Sequence, residues 1–375
     1  MTTPEIIAYY GYPVEIYSVT TEDGYILELH RIPYGKNGTT NDFHANKSVI
    51  FLQHGFIGSS AVWVTNLPDQ SAGFLFADAG YDIWMGNARG NTYSANHTLY
   101  TKKDREFWEF TWNEISEIDL STMIDFVLNK TNLKSLYYVG YSEGTLTMFV
   151  KLVTDQSFAK KIKKFFALGP IGTLTNIKGL IKIAAENFMR PLRILVSIGG
   201  EFMPNTSLFS RMSKAFCSIH SITAHCQDVM FQITGPDTSQ MNQTRIPVYM
   251  THLPAGTSIA NLHHWAQMVN SHKVQMYDLG SRRKNQRRYG SDFPPVHNLS
   301  FVNVPVYLYW SDTDWLADKQ DIQEGLLDVI PEEYLMENNE IQNFNHFDFI
   351  WGIHAVKEIY QPILRIIDND QKKSL

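Results

Sequence analysis

The chain has 375 residues, with 32 Lys and Arg against 38 Asp and Glu and a net charge of −6. Charged residues make up 19% and hydrophobic ones 44%, against a usual charged share of about 25%, which excludes a disordered, charge-rich chain. Nucleic acid is excluded as the main partner, because counterion release needs a concentrated positive surface. The one basic run, Arg282-Arg283-Lys284 with Arg287-Arg288, reads as a solvated face.

This length predicts roughly two to three domains, or one large α/β domain with an insertion. No stretch supplies the about 20 apolar residues of a membrane span. The longest segment without Asp, Glu, Lys or Arg, Ile246–His272, is broken by His252, Pro254, Gly256, His263 and His264. Met1-Thr2-Thr3-Pro4-Glu5 has neither the basic nor the apolar part of a signal peptide, so the chain reads as a mature form or one begun at a downstream Met.

In chain order, Val14–Val19 and Tyr25–Ile32 read as a hairpin around Glu22-Asp23-Gly24. Ser48–Leu52 is a strand that ends at His54-Gly55, Ala72–Ala79 a helix, and Tyr81–Met85 a strand ending in Gly86. From Glu114 to Leu128 the apolar residues recur at helical spacing. The strand Leu136–Val139 stops at Gly140, and Thr145–Val153 is helical. Strands alternating with helices predict an α/β fold, a mostly parallel sheet covered on both sides. After Pro170 the rhythm changes to helical stretches at Ile177–Ala185, Ile194–Ile198 and Leu208–Phe216. It returns with a strand at Val304–Trp310 and helices near Gln320–Val329 and Val356–Ile367. The simplest organisation is a core of residues 1–170 and 300–375 interrupted by a mostly helical insertion, 171–299.

Gly140-Tyr141-Ser142-Glu143-Gly144 fits G-x-S-x-G. A strand runs in and a helix runs out, as a nucleophile elbow requires; the competing reading is a helix-capping serine in an ordinary turn. A serine nucleophile needs a base, and the base an orienting carboxylate, in the chain order Ser, acid, His. Asp312 and Asp314 both follow the strand Val304–Trp310, whereas Asp318 and Asp321 fall toward the next helix. His346 lies in a loop ahead of the final helix and is a better base than His354. The oxyanion donors expected are the backbone N–H groups of Phe56, after the strand that ends at His54-Gly55, and of Glu143. The side chain of His54 is expected to hold that loop.

Seven N-x-S/T sequons occur, at Asn37, Asn46, Asn96, Asn129, Asn205, Asn242 and Asn298, and point to the secretory pathway. Cys217 and Cys226 either close a small loop or remain two buried thiols.

The chain resembles the acid lipases, the group of gastric and lysosomal acid lipase, and particularly their nematode lipase-like members. The resemblance runs through Gly11-Tyr12-Pro13, Thr21-Glu22-Asp23-Gly24-Tyr25, Leu52-Gln53-His54-Gly55 and Ala79-Gly80-Tyr81-Asp82. It continues in Gly86-Asn87-Ala88-Arg89-Gly90-Asn91, Pro254-Ala255-Gly256-Thr257-Ser258, Asp314-Trp315-Leu316-Ala317-Asp318 and Asn345-His346-Phe347-Asp348-Phe349. It implies an α/β-hydrolase fold with a cap and lid insertion, Ser142 as nucleophile, Asp314 as acid, His346 as base and a Cys217–Cys226 cap disulfide. It also implies hydrolysis of neutral-lipid esters, triacylglycerol or cholesteryl ester, at a lipid–water interface, without metal or organic cofactor, in a lysosomal or secreted setting. A lipid carrier with weak catalysis and an esterase for short acyl groups are the competing readings. One departure stands out: the family usually reads Gly-His-Ser-Gln-Gly, and Tyr141 and Glu143 flank the serine here. An ionised Glu143 beside the oxyanion would oppose catalysis.

Overall fold

The computed structural model describes residues 1–38, 47–205 and 220–374. A short helix, α1 (Thr3–Tyr9), opens the chain, and a capping box between Thr2 and Glu5 starts it. The hairpin follows as β1 (Glu15–Thr20) and β2 (Tyr25–Ile32), antiparallel with Glu15 opposite Arg31. Next come β3 (Val49–Gln53), α2 (Ala72–Asp78), β4 (Asp82–Met85) and the two-residue β5 (Asn96–His97). The helix expected from Glu114 ends as α3 (Leu120–Thr131), after a wide turn over Ile115–Asp119. Then β6 (Leu136–Tyr141) feeds α4 (Glu143–Thr154), followed by β7 (Ile162–Leu168).

Between β7 and the next long strand the chain is helical: α5 (Gly179–Asn187), α6 (Met189–Ile198), α7 (His220–Thr234), α8 (Ile246–His252), α9 (Ile259–Ser271) and α10 (Arg282–Tyr289). Two short strands here, β8 (Glu201–Phe202) and β9 (Thr257–Ser258), pair with each other, apart from the main sheet. The main sheet resumes with β10 (Val306–Trp310) and β11 (Leu335–Glu340), and α11 (Gln361–Ser374) closes the chain.

The sheet order is β1-β2-β4-β3-β6-β7-β10-β11, with β5 beside β2. Every pair from β4 to β11 is parallel. Successive strand residues feed opposite faces. Phe51 and Tyr138 join one buried apolar layer, while Ile50, Leu52, Tyr137 and Val139 join the other. Both layers are covered, so the central strands carry apolar residues on both faces. Among the described residues no helix is long and apolar enough to cross a membrane.

Outside the sequence reading lie α1, β7 and β11 of the core, the helices α7 to α10 of the insertion and the two-residue strands β5, β8 and β9. β7 is half basic at its start, Ile162-Lys163-Lys164, which hides its apolar run. β11 is an edge strand of Leu-Met-Glu-Asn-Asn-Glu with mostly exposed side chains, formed because β10 offers it a ladder. The capping box that starts α1 was legible as Thr2…Glu5. The helix expected over Leu208–Phe216, the sequon at Asn46 and Cys217 lie outside the described residues; Cys226, its expected partner, is half-buried.

A buried ion network pins the loop after β4. The Arg89 guanidinium is 2.7 Å from Asp119 Oδ1 and 2.6 Å from Asp23 Oδ2, and it lies over the Tyr25 ring. Asp119 is fully buried, and burial pushes its carboxyl up while Arg89 pulls it down. Asp119→Ala would strand the guanidinium in the core. The expected cost is about 3–5 kcal/mol of unfolding free energy, read from urea midpoints. A loss under about 1 kcal/mol would class the pair with exposed bridges.

Candidate active site

The site is built where β6 turns into α4. Ser142 sits at φ 54°, ψ −118°, a conformation that a side chain rarely adopts, and such strain costs on the order of 1–3 kcal/mol. The turn is held by close backbone approach. A Cβ on Gly144 would come within 2.5 Å of the Gln53 carbonyl oxygen, and one on Gly140 within 2.7 Å of the Gly144 oxygen. Gly144 is therefore a steric requirement of the crossing with β3, and Gly140 one of the turn into α4. The Ser142 hydroxyl makes no capping bond to α4, which overturns the helix-cap reading. The Ser142 carbonyl accepts from Thr145 Oγ1 at 2.7 Å, and Ser142 N–H donates to Leu168 O at 3.0 Å.

β10 and the loop before α11 bring in the partners. His346 Nδ1 lies 2.7 Å from Asp314 Oδ2, and both residues are buried. Asp314 Oδ1 accepts from the N–H groups of Leu316 and Ala317 at 2.8 and 3.0 Å. That set of donors holds the carboxylate, so the ring carries its proton on Nδ1 and leaves Nε2 as the acceptor. Nε2 is buried and has no hydrogen-bond partner among the described residues. Asp312 is exposed. Asp318 caps the following helix and pairs with Lys178 at 2.6 Å, and Asp321 accepts from Thr173, Thr175 and Asn176. His354 is exposed, bonded to Gln240. Of the residues considered, the fold joins Asp314 to His346 and places Asp312, Asp318, Asp321 and His354 elsewhere.

Ser142 and His346 line one cavity of about 150 Å³ with Phe56, Ile177, Leu262 and Trp265. Its wall is almost wholly apolar. A larger cleft of about 660 Å³ lies beside α1, lined by Tyr9, Tyr10 and Arg245, and contains neither Ser142 nor His346. The β3 loop is close to the serine: a Cβ on Gly55 would meet Ser142 Cβ at 2.8 Å, which brings the neighbouring Phe56 amide beside it. His54 donates from Nδ1 to Gly55 O at 2.8 Å and accepts at Nε2 from Ala88 N–H at 3.1 Å. Burial lowers its pKa to about 4, so it holds the loop as a neutral ring.

Several participants left no mark in the motif spacing. Tyr141 donates its hydroxyl to the His346 carbonyl at 3.0 Å and lays its ring against the imidazole. His346 N–H donates to Thr234 O at 3.2 Å, so α7 also braces the histidine loop. Asp348 Oδ2 accepts from Asn345 N–H at 2.7 Å and Thr238 Oγ1 at 2.5 Å. Burial raises its pKa to about 7, opposed by those two bonds and helped by the charge of Asp314. The carboxyl of Glu143 points to α9: Oε2 accepts from Trp265 Nε1 at 2.5 Å and Asn261 Nδ2 at 3.0 Å. Burial raises its pKa to about 7 against those two bonds.

The sequons differ in exposure. Asn37, Asn96, Asn129 and Asn298 are exposed. Asn205 Nδ2 donates to Thr251 O and Pro254 O, and Asn242 caps a short turn and is half-buried.

Residues 48–353 match the family described as alpha/beta hydrolase fold, and residues 3–67 a partial alpha/beta-hydrolase lipase region. The lipase lipl-1 of Caenorhabditis elegans is 48% identical over 374 residues, covering 99% of this chain and 92% of that protein. The gastric triacylglycerol lipase of Bos taurus is 41% identical over 374 residues, with the same two shares, 99% and 92%. Human lysosomal acid lipase/cholesteryl ester hydrolase is 38% identical over 369 residues, covering 98% and 90%. Among solved structures, an epoxide hydrolase of Vigna radiata aligns at a TM-score of 0.53 and 13% identity, over 95% of this chain and 98% of that one, and speaks for the fold alone. The chain belongs to the acid-lipase family of the α/β-hydrolase fold.

Proposed function

We propose that this enzyme hydrolyses carboxylic esters of neutral lipids, of the triacylglycerol and cholesteryl ester class named for its relatives, with Ser142 as nucleophile, His346 as base and Asp314 as the orienting acid. The observation that carries the reading is a strained serine, free of capping duty, in one apolar cavity with a histidine whose Nδ1 is held by a buried aspartate. Ser142 Oγ attacks the ester carbonyl as His346 Nε2 takes its proton. The imidazolium is stabilised by Asp314, and the N–H groups of Phe56 and Glu143 receive the oxyanion, reinforced by the N-terminus of α4. The proton passes to the leaving alcohol, and water then releases the fatty acid by the same steps in reverse. The apolar wall suits an acyl chain, which favours this reading over an esterase for short acyl groups.

The setting belongs to the same proposal. Lysosomal or secreted placement fits the four exposed sequons, and residues 171–299 are assigned as the cap, closed in part by a Cys217–Cys226 disulfide. Expression through a eukaryotic secretory host should add glycans at Asn37, Asn96, Asn129 or Asn298; a bare intact mass would remove this support.

Ser142→Ala should remove the label left by a fluorophosphonate and abolish turnover without changing the melting temperature. Surviving turnover would end the nucleophile assignment. Asp314→Asn should cost roughly 10⁴-fold in kcat through loss of the correct tautomer, while Asp312→Asn should stay near wild type. The reverse order would exchange the two acids.

Glu143→Gln keeps both accepted bonds and removes an ionisation centred at about pH 7. The wild-type charge appears above that pH beside the oxyanion, so the variant should hold its kcat/KM further into the alkaline range. Superimposable profiles would mean that the carboxylate, turned toward Trp265, does not reach the transition state. Stability gives a second readout with its own sign. The folded carboxyl keeps its proton up to about pH 7 and the unfolded one only to about 4.5. Between those values the folded state binds more protons, so this group's contribution falls as pH rises. The variant's stability relative to wild type should grow across that window, by on the order of 3 kcal/mol. A pH-independent difference would show the group ionising normally.

A further inference from the structure

Two adjoining features of the helical segment take no part in the chemistry. The first is α10, whose five cations, Arg282, Arg283, Lys284, Arg287 and Arg288, are all exposed. None has a carboxylate within ion-pair distance among the described residues, although Glu117 feels the field of Arg288 from farther away. Three of the five occupy the first turn, where the helix dipole opposes cations. Only Ser281, accepting from Lys284 N–H, offsets that cost. Of the nearby acids, Asp278 is engaged by Gly280 N–H and Asn285, and the Asp292 backbone carbonyl accepts from Asn285. Arg282 lies 5.8 Å from the Phe293 ring centroid, but a helix of five cations without a carboxylate partner among the described residues is an anomaly in a chain of net charge −6.

The second feature is α6, none of whose residues is buried. Met189 and Leu192 pack on the core, yet Ile194 and Ile198 on the other side are 64% and 66% exposed. Leu180 and Ile183 of α5 and Phe188 between the helices extend this apolar surface. The two features are joined: Arg193 Nη2 of α6 donates to Gly280 O at 2.8 Å, two residues before α10 begins. A helix that is apolar on both sides beside a cationic one matches a surface with acidic headgroups over an apolar interior. Nucleic acid would leave the isoleucines uncovered.

We infer that α6 and α10 form a docking surface for an anionic lipid interface, the cations meeting acidic headgroups while Ile194, Leu195 and Ile198 enter the apolar layer. This rests on the reading of the protein as a lipid esterase and adds the charge of the surface on which it works. Because the rest of the molecule carries net negative charge, the same interface would repel its other faces, which orients the protein as well as binding it.

The test measures binding of the full chain to vesicles of phosphatidylcholine with and without phosphatidylserine, by co-sedimentation. Wild type should bind the anionic vesicles more tightly, and added salt should erase the difference. Each cation at such a surface is worth roughly a fivefold change in affinity. The variant Arg283→Gln/Lys284→Gln/Arg287→Gln should therefore lose on the order of 100-fold of the anionic preference, while Ile194→Ser/Ile198→Ser weakens binding to both vesicle types. Both variants should turn over a soluble short-chain ester at the wild-type rate. Equal binding of wild type to the two vesicle types, or an undiminished preference in the triple glutamine variant, would overturn the inference. So would tighter salt-sensitive binding to an oligonucleotide than to any vesicle. Absence of soluble-ester turnover in wild type would instead strike the esterase reading, with the vesicle result still deciding the surface.

Discussion

The crossing of β3 over the turn between β6 and α4 governs the rest of the site. Gln53 and His54 bring their carbonyl oxygens to within 2.5 and 2.9 Å of where a Gly144 side chain would begin. The chain can pass only with glycine there and with Ser142 at a positive φ. That strain is sustained because β6 is buried along its whole length between β3 and β7. The packing energy of the sheet holds the serine in a conformation that an isolated turn would leave. The same crossing sets the Phe56 amide beside the serine, so one steric constraint places two functional groups.

Around that point the molecule is braced from distant parts of the chain. The histidine loop is tied to the elbow by Tyr141, to β10 by Asp314 and to α7 through Thr234. The elbow is tied to α9 through Glu143, Asn261 and Trp265. The Glu143 carboxyl, adjacent in sequence to the serine, is thereby engaged by the helical segment and forms part of the support for the cavity wall. Trp265 is both a partner of that carboxyl and a lining residue, which couples the protonation of one to the shape of the other.

Burial gives the protein opposing responses to pH. Glu143 and Asp348 are both pushed up to about 7 by desolvation and so favour the folded state toward acid. His54 and His264 are pushed down, to about 4 and about 3, and must stay neutral to remain packed. A histidine with a lowered folded pKa contributes stability above its unfolded value and loses it as pH falls toward the folded one. The acid side is therefore bounded by histidines and the alkaline side by carboxyls.

Taken alone, the sequence determined the alternation of strands and helices, the elbow, and the order of nucleophile, acid and base. These are local patterns: apolar runs, a five-residue motif, and a chain order that topology repeats. The resemblance to acid lipases rested on motifs of the same local kind. It separated Asp314 from Asp312 only through that resemblance, because two carboxylates in one loop have equal standing until the fold buries one and exposes the other. β11 was illegible because its Glu and Asn residues carry no strand signal; pairing with β10 creates the strand. The direction of Glu143, the bond from Tyr141 to the histidine loop and the link between α6 and α10 were decided by tertiary structure alone. Each joins residues that are close in space and far apart in the chain, and no spacing along a sequence encodes that distance.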